Sequence, residues 1–219
     1  MQNTKDKIIA KAIKLFNKNG FGAVSLFEIA NSLSMSRGNL TYHFKDKDQL
    51  LLAIAEEVWS KLDKKRQQSL QLPSFKNLHD EVQLFYQYQQ EYAFIFMDRL
   101  VLGHEVIKSH FRQMTQKSIE DNKKIIAFSI KLGNMKEEPF PGLYNHIAMA
   151  TWMFTFFWLP QQIIRGERKT ADGEKLIWSM LLPHLTKKGL ANFKKFFGQD
   201  YIDNLGEPFA INMDKMITI

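Results

Sequence analysis

The chain has 219 residues, 45% of them hydrophobic, with only 11 glycines and 6 prolines, so it can bury a sizeable core and little in it interrupts helices. It contains no cysteine, which excludes disulfides, thiolate metal sites and a cysteine nucleophile and suits a reducing compartment; a cytoplasmic location is expected. The net charge of +7 is uneven: residues 1–66 hold 12 basic and 7 acidic side chains, the remainder 18 and 16. The basic end is the one expected to meet a polyanion, although a lysine-rich solvated helix face gives the same count.

From Met1 to Phe16, lysines interleave with apolar residues. With neither an unbroken apolar core nor a small-residue cleavage site, this start reads as a helix and not as a signal peptide. Thr4 is placed to cap that helix, Ile8, Ile9, Ala12, Ile13 and Phe16 recur at helical spacing, and Gly20 stands where a helix end wants a left-handed residue. Ser25-Leu26-Phe27-Glu28 has the form of a capping box and opens a short second helix to about Leu33. Ser34-Met35-Ser36 then offers a turn and a fresh cap. Two short helices joined so tightly make a helix-turn-helix.

The third helix is expected from Arg37 to about His43. At 100° per residue Leu40 and Phe44 share one side while Gly38 and Tyr42 lie almost opposite. That free side has no acidic residue, holds a helix-weakening glycine and gathers hydrogen-bonding groups. Gly38 removes a side chain where a recognition helix comes closest to the groove; Arg37 and Asn39 can donate to bases, and Ser36, Tyr42 and His43 can reach phosphates. Asp46 can cap a fourth helix with Lys47 in its first turn, and that terminus offers free amides to a phosphate. Singly, Tyr42 could be a packed surface aromatic, His43 a solvated histidine, and Gly38 a tolerated helix-start residue. Jointly, the caps, turn, helix lengths and charge all fit one docking geometry.

Through Ile8 to Phe16, Gly20-Phe21, Ser25 to Ala30, and above all Ser36-Arg37-Gly38-Asn39-Leu40-Thr41-Tyr42-His43-Phe44-Lys45-Asp46-Lys47-Asp48-Gln49-Leu50, the chain resembles the TetR family of regulators. The resemblance covers about the first quarter of the chain. It implies an all-α fold, with a three-helix helix-turn-helix DNA-binding domain over residues 1–48 and a helical effector-binding and dimerisation domain over 49–219. By the same analogy Ser25, Ser36, Arg37, Asn39, Thr41, Tyr42, His43 and Lys47 face DNA, and Gly38 joins them on the reading above. Met35 stands where the family more often has threonine or valine, and Asn39 and Thr41 replace commoner small or aromatic residues, so the operator sequence is not carried over.

Beyond Asp48 the spacing of Leu50, Leu51, Ile54, Ala55, Val58, Trp59 and Leu62 predicts one helix to about Leu70, ended by Pro73. Ser74 can cap the next, whose Leu78, Val82, Phe85 and Tyr86 lead through Tyr92, Phe94 and Phe96 to Leu102, with a break at Gly103. A long helix is expected from Val106 to Leu132, capped by Gly133. Pro139, Pro141 and Gly142 mark a loop before the most apolar helix, Leu143 to Arg165, and a last helix should run from Thr170 to about Lys188. The run Ile147–Leu159 is too short for a membrane span of roughly 20 residues. The helices near 143–165 and 171–188 occupy the place where the family pairs subunits, so a homodimer is expected; Trp152, Phe156 and Trp178 could instead fill the monomer's own core.

An effector pocket is expected among Tyr86, Tyr92, Phe96, Phe128, Met149, Trp152 and Met153, whose chemistry suits an apolar or flat ligand, although a solid core calls for the same residue types. His104-Glu105 and His110 resemble a zinc-protease motif, but six residues put the histidines about 120° apart on a helix, so no metal is expected. Neither a phosphate-binding loop nor a catalytic constellation is found, so no cofactor and no enzyme activity are assigned. The tail from Gly198 carries no usable motif. The reading is therefore a sequence-specific transcriptional regulator, a repressor that binds a palindromic operator in double-stranded DNA and is released by a small effector. A helical carrier or sensor of apolar molecules without a DNA role is the alternative, and an enzyme with a buried helical site a distant third.

Overall fold

The computed structural model describes residues 3–71, 73–165 and 172–206. Its regular elements are all helical, as expected: α1 (Thr4–Asn19), α2 (Leu26–Ser32), α3 (Arg37–His43), α4 (Lys47–Gln71), α5 (Phe75–Glu91), α6 (Ala93–Met97), α7 (Arg99–Gly103), α8 (Glu105–Lys131), α9 (Leu143–Arg165), α10 (Asp172–Leu181), a 3-10 turn (Leu182–His184), α11 (Lys187–Phe197) and α12 (Gln199–Asp203). They form two compact units, Met1–Gln68 with Leu84–Thr115 and Ser69–Gln83 with Gln116–Ile219. Among the described residues no helix is long and apolar enough to cross a membrane, and no group of three His, Asp or Glu side chains is placed to hold a metal.

In the first unit, α1 buries Ile8, Ala12 and Phe16 and α4 buries Leu50, Leu51, Ile54, Ala55 and Val58, the stripes their spacing predicts. The cap of α1 is Asn3, whose side chain accepts from the Lys5 amide at 3.3 Å, and not Thr4, which is the first helical residue. Phe16 packs its ring against Phe21 and Phe94 at 5.2 and 5.1 Å. The stretch expected to run unbroken to Gly103 is divided into α5, α6 and α7. Tyr92 leaves the helical region at φ −118°, ψ 40°, and Asp98 is extended at φ −73°, ψ 122°, with its carboxylate accepting from the Leu100 amide as the cap of α7. An aspartate inside an aromatic run was the legible sign of that second break. Gly103 belongs to α7, and the residue that ends it is His104.

In the second unit, the expected 170–188 helix stops at Leu181. Pro183 cannot donate to the helical ladder, so the chain tightens into the 3-10 turn, and Thr186 caps a separate helix, α11, by accepting from the Gly189 amide at 3.1 Å. Positions 170 and 171 lie outside the described residues. The start of α11 closes over the end of α8: Thr186 Oγ1 donates to Gly133 O at 2.7 Å, Lys188 Nζ to Leu132 O at 2.7 Å, and Thr186 N to Asn134 O at 3.0 Å. These donors satisfy carbonyls that a helix end otherwise leaves orphaned. Only glycine fits at 189, because a Cβ there would lie 1.9 Å from Asn134 O. Trp178, Phe193 and Leu205 form one core, and Ile126, Met135, Tyr144, Ile147 and Ala148 another. Glu174 is buried with its carboxylate fully engaged by Trp178 Nε1 at 2.7 Å, Gln83 Nε2 at 2.6 Å and His79 Nδ1 at 2.8 Å. Within the tail, α12 is an added helix, and residues 207–219 lie outside the described part.

Candidate nucleic-acid interface

The site is assembled by local chemistry. The Glu28 amide donates to Ser25 Oγ at 3.2 Å while the Ser25 amide donates to the Glu28 carboxylate at 2.7 Å, completing the capping box that starts α2. The Ser25 amide, followed by the Ser25 hydroxyl, which donates to the same carboxylate at 2.9 Å, holds the Glu28 carboxyl below the usual carboxylate range. Past α2, Ser34 takes the left-handed conformation at φ +52° and the Met35 amide returns to Ala30 O at 3.1 Å, giving the tight turn. Ser36 caps α3 by accepting from the Asn39 amide at 3.1 Å.

Burial of Leu40 and Phe44 fixes the rotation of α3. Arg37, Gly38, Asn39 and Tyr42 consequently face outward, and Tyr42 is 85% exposed, a large aromatic without apolar cover among the described residues. Among the described residues its ring meets half-buried His43 in an edge approach at 5.4 Å. Gly38 has no internal reason to be glycine: its φ is unremarkable and a Cβ would meet only Ser36 Oγ, at the ordinary distance of 3.9 Å. Glycine weakens a helix relative to alanine by up to about 1 kcal/mol, so the open space at this position serves something outside the chain or nothing.

Besides Ser25 and Ser36, whose hydroxyls cap α2 and α3, two further expected residues are engaged at home. Thr41 Oγ1 donates back to α3, lying 3.0 Å from Arg37 O and 3.1 Å from Gly38 O. Lys47 directs its ammonium inward, to Phe21 O at 2.8 Å and Val24 O at 3.0 Å, with the Phe21 ring 4.3 Å away. Asp46 caps α4, accepting from the Gln49 amide at 2.8 Å. Lys5, which the sequence reading passed over, lies 5.7 Å from the Phe44 ring, bringing a cation of α1 beside the end of α3. Exposed Lys45 adds another there. Their signal was the basic excess of the N-terminal third, which does not say which lysines share a face.

The residues expected around an effector divide between the units. Tyr86, Tyr92 and Phe96 are buried in the first, and burial, followed by the charges of Glu91 and Glu57, pushes the Tyr92 phenol well above its usual range. Phe128, Met149 and Met153 are exposed in the second unit, where half-buried Trp152 stacks on Phe156 at 5.6 Å. A separate open cleft of about 510 Å³ in the first unit is lined by Trp59, Glu105, Val106, Ser109, His110 and Gln113, with Trp59 and His110 stacked at 3.6 Å.

A three-helix module with one solvent-facing, acid-free recognition surface defines the helix-turn-helix class. The family model described as bacterial regulatory proteins of the tetR family matches residues 8–54, and a second, described as a bacterial transcriptional repressor, matches 32–193. The chain belongs to the TetR family of bacterial regulatory proteins. Among curated relatives it is 46% identical over 68 residues to the HTH-type transcriptional regulator QacR of Staphylococcus aureus, a match covering 30% of this chain and 36% of that protein. It is 38% identical over 58 residues to the HTH-type transcriptional regulator AcrR of Shigella flexneri, covering 26% of this chain and 25% of that one. The match thus spans about a third or less of these relatives' length. Among solved structures, a TetR-family regulator from Marinobacter aquaeolei VT8 superposes with a TM-score of 0.77 at 19% identity, over 94% of this chain and 98% of that one. SmeT, the repressor of the Stenotrophomonas maltophilia multidrug efflux pump SmeDEF, superposes with a TM-score of 0.63 at 15% identity over 85% and 92%. At such identities the structural likeness shows the shared fold.

Proposed function

We propose that the protein is a cytoplasmic repressor of transcription that binds a palindromic operator as a homodimer and leaves it when a small apolar or aromatic effector binds. The observation that carries this reading is the outward face of α3, where Arg37, Gly38, Asn39 and Tyr42 stand exposed with nothing in the fold requiring that arrangement. Arg37 and Asn39 read base edges, Gly38 admits the groove wall, and Ser25, Ser36, Tyr42 and His43 hold phosphates. Thr41 and Lys47 belong to the same surface, but their internal hydrogen bonds make their first role that of shaping it. Residues 1–48 form the DNA-binding domain and 49–219 the effector and dimerisation domain.

The dimer reading is supported by α9, on which Met149, Met153 and Phe157 are exposed at the i, i+4, i+8 spacing of a single stripe. Met149 and Met153 suit that face better than a pocket, and Phe128 is likewise at the surface; the effector reading rests on the buried aromatics Tyr86, Tyr92 and Phe96 of the first unit. A complex of SmeT with triclosan supports an aromatic effector by analogy. No catalytic step is assigned, and the carrier reading leaves the exposed face of α3 without a use.

The test is a comparison of three variants on a selected duplex and a random one. Tyr42→Ala is expected to weaken both, while Arg37→Ala and Asn39→Ala chiefly reduce the preference for the selected duplex, each by about 1–3 kcal/mol of discrimination. Identical responses of both duplexes to all three variants would contradict the assignment.

A further inference from the structure

We propose that Asn17 and Asp98 are positioning residues for DNA binding, holding the helix-turn-helix on segment 91–98 by supplying the polar partners that two helix breaks there require. The inference rests on the DNA-binding reading above.

The break between α5 and α6 has no local cap, for the N-cap residue Tyr92 makes no side-chain cap bond. Asn17, near the end of α1, serves both sides of it: its Nδ2 donates to Glu91 O at 2.7 Å, and its Oδ1 accepts from the Phe94 amide at 3.1 Å. One carboxamide thus satisfies a carbonyl that ends α5 and an amide that starts α6, using its donor side on one and its acceptor side on the other.

The break between α6 and α7 is met by Asp98. Its Oδ1 accepts from the Leu100 amide at 2.9 Å, the ordinary N-cap bond, while its Oδ2 accepts from the Phe21 amide at 2.7 Å. Phe21 follows Gly20, which ends α1 at φ +83°, and the carbonyl of the same Phe21 receives Lys47 Nζ at 2.8 Å. The backbone of Phe21 is therefore held at its amide by Asp98 and at its carbonyl by the first turn of α4. Phe21 leads into the turn that reaches Ser25 and α2, so whatever fixes Phe21 also aims α2 and α3. The bonded residues are 77 apart in sequence for both Phe21–Asp98 and Asn17–Phe94, so no local helix propensity creates these links.

Asp98→Ser separates the two roles, because a serine oxygen can still cap α7 but cannot also reach the Phe21 amide. The full-length wild type, Asn17→Ala and Asp98→Ser are compared on a duplex selected from random DNA by the wild type, with affinity measured across a salt series, helicity and Tm by circular dichroism, and Phe21 amide exchange by NMR. Each variant is expected to remain folded at the assay temperature and to bind about tenfold more weakly, a change of the size of one intramolecular hydrogen bond. The salt slope should stay within about one unit of wild type, because no phosphate contact is removed, and the Phe21 amide should exchange faster in Asp98→Ser. Wild-type affinity in folded Asp98→Ser, or a weakened affinity accompanied by the slope loss of a missing phosphate contact, would overturn the proposal. Should Asn17→Ala unfold, Asp98→Ser decides alone. A wild type that selects no duplex is a different result, which removes the DNA-binding reading itself.

Discussion

Lys47 closes on Phe21, donating to its carbonyl at 2.8 Å while lying 4.3 Å from its ring. A lysine at the start of α4, expected to face phosphate, is thus first a latch on the α1–α2 turn. Lys47→Met keeps the ring contact and removes the donors to Phe21 and Val24. It is expected to lower unfolding stability by about 1–2 kcal/mol, the scale of hydrogen bonds to a charged group, and to change the salt slope of DNA binding by less than about one unit. Urea unfolding and a salt series check this; unchanged stability with a slope reduced by a full contact would return Lys47 to the phosphates.

Gly38→Ala separates fold from function. A Cβ at 38 would meet only Ser36 Oγ at 3.9 Å, so the free protein should be as stable or more stable by up to about 1 kcal/mol. Binding to operator should nevertheless fall by about tenfold or more as the methyl group enters the groove contact, roughly 1.4 kcal/mol. Paired Tm and Kd measurements read the two effects, and unaltered affinity would show that no groove wall comes near α3 here.

Gly189→Ala tests the closure of α11 over the end of α8. The added Cβ would lie 1.9 Å from Asn134 O and 2.8 Å from its carbonyl carbon, and backbone atoms cannot rotate away as a side-chain tip can. A loss of about 3 kcal/mol or more is expected, at the upper end for overpacking, seen as a lower urea midpoint. A near-neutral result would mean that the 133–135 loop yields easily.

The capping box predicts an acid dependence with a definite sign. Hydrogen bonds from Ser25 hold the Glu28 carboxyl of the folded state below the usual carboxylate range. The stability it contributes is therefore fully present above the unfolded value and is lost as pH falls through the folded one. The stability difference between wild type and Glu28→Ala should be constant near neutrality and shrink below about pH 4.5. A difference that persists unchanged to pH 2 would show that the carboxylate charge does not matter.

How much of this was legible beforehand depended on how local the cause was. Ser25 with Glu28, the Ser34-Met35-Ser36 turn and the Ser36 cap act within a few residues, and α2, α3 and the orientation of Leu40 against Tyr42 followed from them. The unit that Phe21 makes with Asp98 and Lys47 did not, because bonds across 77 and 26 positions leave no periodicity in the sequence. The breaks at Tyr92 and Asp98 were hidden by a continuous apolar run that outweighed a single capping aspartate. A helix drawn from Thr170 to Lys188 overlooks Pro183, which cannot donate to the ladder and opens the 3-10 turn. The aromatic and methionine residues expected around an effector were spread between core and surface, since residue type does not distinguish a pocket wall from packing or from an exposed face.

The central claim is tested most directly by selecting duplexes from random DNA with the full-length protein and measuring affinity for the winner and for random duplex across a salt series. The expected winner is a palindromic site with half-sites about one helical turn (roughly 34 Å) or somewhat more apart, bound at least about a thousandfold more tightly than random duplex and with log affinity falling steeply as salt rises. Weak binding without a selected sequence, from protein shown to be folded and dimeric, would contradict it.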